Sequence, residues 1–135
     1  LASYNKFNSF VEAVAEKKHD LGSDTITVAL SNTAPEATDA LLTDISEITY
    51  TNLSARDITT TSSSQTAGTY KLVLTDKVLT ASGEVEPFRY VVLYNDDATN
   101  DELIGWYDYG SSITLNNGDT FTLDFDGSDG VIQIA

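Results

Sequence analysis

Residues 24–31 read "DTITVALS", and here the spacing of apolar side chains changes from three and four to two. Ile26, Val28 and Leu30 share one face of an extended chain against Thr25, Thr27 and Ala29, which is the pattern of a half-buried β-strand. The alternation recurs in "SEITYT" (46–51), "ARDITTT" (55–61), "TYKLVLTD" (69–76), "KVLTAS" (77–82), "FRYVVLYN" (88–95), "ELIGWYDY" (102–109), "SSITL" (111–115), "TFTLDF" (120–125) and "GVIQIA" (130–135). Turn-forming clusters such as "SNTAPEATD", "ASGEVEP", "NDDATND" and "LNNGDT" separate them. Short strands without helical periods between them imply a mainly β protein, an antiparallel β-sandwich or jelly-roll-like barrel over residues 23–135.

Upstream, Phe7, Phe10, Val11 and Val14 fall at i, i+3, i+4 and i+7. That spacing predicts one amphipathic helix over roughly residues 5–18, within an N-terminal helical segment, 1–22. Lys17, Lys18 and His19 suit its last turn, and Gly22 suits a left-handed stop. In "FRYVVLYN", Phe88, Tyr90, Val92 and Tyr94 form one apolar face, and Val91 and Leu93 make the other apolar too, as in a central strand entered at Pro87. The polar run "TTTSSSQTAGT" (59–69) is expected to be a mobile loop or an edge.

The 135 residues suit one domain with its own core. There is no cysteine, which removes disulfides, thiolate metal sites and thiol nucleophiles. The lack of methionine, a starting one included, leaves a trimmed terminus and a removed propeptide equally open. In residues 1–20, Lys6, Lys17 and Lys18 balance Glu12, Glu16 and Asp20, so the whole formal charge of −14 falls on residues 21–135. Such a body repels phosphate backbones, and direct nucleic-acid binding is not expected. No apolar run approaches the ~20 residues of a membrane span, so no membrane role is expected.

Chemistry has few footholds. "DFDGSDG" (124–130) concentrates three carboxylates and two glycines, but counted from Asp124 as a calcium loop it lacks glycine at the sixth position and glutamate at the twelfth. A hairpin turn explains it better, with Phe121, Leu123 and Phe125 alternating inward before it and Ile132 and Ile134 after it. "NDDATND" (95–101) reads as a solvated loop, because paired carboxylates for glycoside hydrolysis also need a cleft that separates their pKa values. His19, the single histidine, has no nucleophile elbow to serve, and the phosphate-cradling glycine patterns are missing. The expectation is no enzyme, no cofactor and no metal. The aromatic group Tyr90, Tyr94, Trp106, Tyr107 and Tyr109 fits core packing or a contact surface, with Trp106 and Tyr107 on opposite faces of the sheet.

"PFRYVVLYND" (87–96), "LIGWYDYGSSITL" (103–115), "GDTFTLDFDGSDGVIQIA" (118–135) and the earlier "HDLGSDTITVALSNTAP" (19–35) resemble a family of small virion-associated structural proteins of tailed bacteriophages. The resemblance covers residues 19–50 and 87–135. It implies a late structural protein of the capsid or of the tail, and it carries over no functional residue. Combined with the acidic β body, it leads to the expectation of a capsid decoration (cement) protein on the outer capsid surface. Its partner would be the major capsid protein, and it would cluster as a homo-oligomer, in one form a trimer at local threefold positions. The expected anchors are Phe7, Phe10, Val11 and Val14, with Trp106, Tyr107 and Tyr109. The alternatives are a tail or adhesion component binding a host surface glycan or protein, and an enzyme using the carboxylates of 96–102 or 124–129.

Overall fold

The computed structural model describes residues 2–135. Its elements run β1 (Ser3–Lys6), α1 (Ser9–Ala15), β2 (Ile26–Ser31), a 3-10 turn (Leu42–Asp44), β3 (Asp57–Ile58), β4 (Thr60–Thr66), β5 (Thr69–Leu74), β6 (Lys77–Thr80), β7 (Val85–Asn95), β8 (Leu103–Leu115), β9 (Thr120–Leu123) and β10 (Ile132–Ile134). The protein is mainly β and its strand pairs are antiparallel. A five-stranded sheet, β1-β8-β7-β2-β3, forms one layer of a sandwich-like arrangement. The three-stranded β10-β5-β4 and the two-stranded β6-β9 form the other.

Between the layers, Ile26, Val28 and Leu30 of β2 and Val91 and Leu93 of β7 meet Leu72 and Leu74 of β5, Leu79, Leu123 and Ile132. A second apolar cluster covers the outer face of the large sheet, where Phe7, Ala29, Val92, Tyr94 and Leu103 pack with Ile45. The strand expected to be half-buried is therefore buried along its whole length. Ala29 is small enough to admit the segment carrying Ile45, and that segment closes the face alternation alone would leave wet.

β7 is the central strand, as its two apolar faces require. Its grouping differs from strict alternation, because Phe88 joins Val91 and Leu93 between the layers while Val92 and Tyr94 face outward. The register shifts between Val85 and Phe88 and again between Phe88 and Tyr90 account for this, and they place Pro87 inside the strand at a bulge rather than ahead of it. "ELIGWYDY" and "SSITL" merge into the single strand β8, in which Gly110 takes φ +84. Arg89 grips Asp108 there with two hydrogen bonds of 2.8 and 3.1 Å, and Asp108 accepts the Gly110 N–H at 2.8 Å.

"SEITYT" is not a strand. It touches β2 through an isolated bridge, Ser31 to Glu47, and is tied down by Tyr50, whose hydroxyl accepts the Leu30 N–H at 2.9 Å. The polar run at 59–69 is largely strand β4, an edge that closes on β5 through Ala67 and Gly68 at φ +51 and +84. Two successive left-handed residues suit the right-handed twist of a two-residue hairpin.

The N-terminal segment differs most from expectation. Residues 3–6 pair with 105–108 of β8, so the helical segment 1–22 opens on a strand of the main sheet. The helix spans seven residues, and Lys17, Lys18 and His19 lie beyond it. Lys17, at φ +66, takes the left-handed position expected of Gly22. Lys18 N–H then bonds to Ala13 O at 2.8 Å and Lys17 N–H to Val14 O at 3.3 Å, which satisfies the last carbonyls. "DFDGSDG" is a turn but not a hairpin, since β9 pairs with β6 whereas β10 pairs with β5. Asp126 closes it by accepting the N–H groups of Ser128 and Asp129, each at 2.8 Å.

Candidate partner-binding surface

The apolar stripe read from the sequence divides into three fates. Phe7 is fully buried against Trp106 on the outer face of the large sheet, with ring centroids 4.6 Å apart. Phe10 is buried between the layers, so both phenylalanines bury nearly all of their area in the chain's own core. The split arises because Phe7 precedes the helix and so does not share its face. Val11, 55 % exposed, and the half-buried Val14 remain available.

These two valines form one wall of a groove of about 420 Å³ between α1, β1 and β10. Tyr4 and Lys6 border it from β1, Phe10 supplies part of its lining, and residues 131–135 form the facing side. Ile134, 42 % exposed, adds a third accessible aliphatic side chain. Lys6 is the one charged side chain in this lining, and no Asp or Glu contributes to it, although the chain carries 21. Burial holds the Tyr4 hydroxyl well above its ordinary pKa, so it stays neutral.

Trp106, Tyr107 and Tyr109 are each half-buried. Trp106 packs outward with Phe7, while Tyr107 meets Tyr4 edge-on at 5.3 Å and Tyr109 meets Phe121 edge-on at 5.0 Å on the opposite side. Most of their area is spent on packing. The accessible edges of Tyr107 and Tyr109 line a shallow cleft with Asp108 and Asp124.

A buried polar junction carries no signal in the sequence. His19, 8 % exposed, stacks at 5.3 Å on Phe10 and faces Asn95, which donates to its Nδ1 at 3.0 Å and to Asp24 at 2.7 Å. His19 Nε2 and Glu102 Oε2 are buried without a protein partner. Burial pushes the His19 pKa down, opposed by the charges of Glu102 and Asp24. Positions 24 and 95 meet through the pairing of β2 with β7, and Glu102 joins them through the β7–β8 hairpin, where its carbonyl accepts the Asn95 N–H at 3.0 Å; no local pattern announces His19 beside them.

In each acidic loop one carboxylate is engaged with backbone, Asp97 in 95–101 and Asp126 in 124–130. Asp97 accepts the Thr25 N–H at 2.6 Å, and Asn95 Oδ1 accepts from Asp97 and Ala98. Among the described residues no group of three or more His, Cys, Asp or Glu side chains is placed to hold a metal ion, and no helix is long and apolar enough to cross a membrane. No family model, curated protein or solved structure matches this chain.

Proposed function

We propose that this chain is a virion structural protein of a tailed bacteriophage that decorates the assembled capsid, docking through the groove between α1 and β10. The observation that carries this reading is an acid-free apolar groove, bearing exposed Val11 and Ile134, on a body of net charge −14. An acidic exterior keeps such a protein away from packaged DNA and dispersed in solution, while the groove offers the apolar contact that a lattice protein can cover. A ligand that binds the assembled shell better than free subunits stabilises the shell by mass action. The major capsid protein is the partner, with copies clustered at local threefold positions on the outer surface. Electron microscopy of purified virions, with and without this chain, tests the reading. Extra density on the head supports it, and density confined to the tail ends it.

A second reading rests on the cleft beside Tyr107 and Tyr109, where aromatic edges stand next to Asp108 and Asp124. Flat apolar edges with neighbouring carboxylates suit a sugar ring and its hydroxyls, which would make the chain a tail or adhesion component. A glycan array probed with the purified chain, and with Tyr109→Ala, separates the two readings.

A further inference from the structure

Building on the reading of the groove as a docking surface, we propose that its occupant is an extended segment of a partner protein. This segment adds as a strand to the free edge of β10 and presents a carboxylate to Lys6.

β10 is the outermost strand of its sheet, paired with β5 alone. In an antiparallel strand every second N–H and C=O points away from the neighbour, so the outer edge of β10 offers unpaired donors and acceptors. Five successive residues, 131–135, border the groove. Ile132, Gln133 and Ile134 of these are strand, and successive side chains of a strand point to opposite faces, so a cavity met by all three runs along the strand's edge rather than over one face. β10 spans three residues, so at ~3.3 Å per residue its edge pairs with about three residues of an incoming segment. Val11 and Val14 stand across from it, so alternate residues of the segment must be apolar and the intervening ones polar.

Charge selects the partner. Lys6 lies in the groove and makes no ion pair among the described residues. A carboxylate at one end of the incoming strand would supply its counter-ion. A second copy of this chain is disfavoured as the strand donor in a β10-to-β10 pairing, because its residues 131–135 bring no Asp or Glu to Lys6. Main-chain hydrogen bonds would give affinity, and the apolar wall with Lys6 would give register and direction.

The probe is a fluorescein-labelled heptapeptide of alternating valine and threonine with a glutamate at one end, titrated with the intact chain and followed by anisotropy. Saturable binding is expected. Val11→Asp and Ile134→Asp should each weaken it roughly tenfold, as for truncated anchors. Both side chains are exposed, so circular dichroism should show both variants folded. Val78→Asp, at an exposed aliphatic position on β6, should leave binding unchanged. Lys6→Glu should reverse the preference toward a peptide ending in lysine. N-methylation of every second peptide amide should abolish binding. Equal binding of the N-methylated peptide, indifference to Lys6→Glu, or no saturation up to about 1 mM overturns strand addition.

Val11→Asp protein is added in parallel to virions stripped of the wild-type chain. Loss of virion binding together with a failed peptide titration removes strand addition and leaves decoration standing. Retained virion binding together with a successful titration leaves strand addition standing and removes docking on the capsid through the groove, and a wild-type chain that fails to rebind stripped virions removes decoration itself.

Discussion

Asn95 Nδ2 lies 3.0 Å from His19 Nδ1 in the junction between β7 and the segment after α1. The orientation of the amide is fixed by its other bonds, since Oδ1 accepts two backbone N–H groups and Nδ2 donates to Asp24. His19 Nδ1 must therefore accept, and the ring proton of the neutral imidazole sits on Nε2. A second proton would set N–H against N–H. Burial accordingly holds the pKa below its ordinary 6.5. As pH falls through the unfolded value, the unfolded chain binds a proton that the folded chain refuses, so stability drops until the folded pKa is passed. Urea midpoints should fall as pH drops through the ordinary histidine value of 6.5, and His19→Gln should flatten that slope. Asp44, Asp108 and Asp126, held by hydrogen bonds below the usual 3.8, lose their contribution only at lower pH. An unchanged slope in His19→Gln would show that the junction does not control this window.

The ring of Tyr4 covers Gly105 so closely that a Cβ there would stand 2.5 Å from Tyr4 Cζ. Gly105→Ala should cost about 1–3 kcal/mol through overpacking. Tyr4→Ala in the same chain should recover part of that loss, because it removes the obstructing ring. Additive losses in the double variant, read from denaturant unfolding, would contradict the close approach.

Phe7 and Phe10, buried on opposite sides of the large sheet, should each cost about 3–5 kcal/mol when replaced by alanine. Val11→Ser should change stability by less than about 0.5 kcal/mol, because its side chain is largely in solvent. Thermal unfolding distinguishes these cases. A large loss in Val11→Ser would move that residue from surface to core.

The reasons for these differences bear on what a sequence reveals. Alternation located most of the strands, though not β1 and with a false one at 46–51, because burial on one face repeats every second residue, and it identified β7 as central because both of its faces are apolar. Bulges escaped it. Phe88 changed sides because the register shift next to it changes which way later residues point. The helix was overextended because Phe7 satisfies helical spacing by chance while anchoring a strand-to-helix corner on the far side of the sheet. Of the expected anchors only Val11 and Val14 line the groove as accessible aliphatics. Residues 131–135, which complete it, read simply as a strand, because free edges depend on sheet order.

Lys17 and Ala67 both hold left-handed backbone at φ +66 and +51, where a Cβ is unfavourable. Glycine at either position should stabilise the fold by roughly 0.5–1 kcal/mol, as substitutions that remove backbone strain commonly do. Differential scanning calorimetry would detect a rise in Tm. A fall would mean that the lost side chain contributes more than the relieved strain.

The pairing of residues 3–6 with 105–108 has a consequence for biosynthesis. β1 has no lateral neighbour until β8 has also emerged from the ribosome, and β7, which divides the sheet, arrives just before it. The nascent chain thus cannot complete its large sheet piecemeal, and closure is deferred until residues 105–108 have been made, with the slow kinetics typical of non-local topologies. During that interval the acidic middle of the chain would keep neighbouring nascent copies apart.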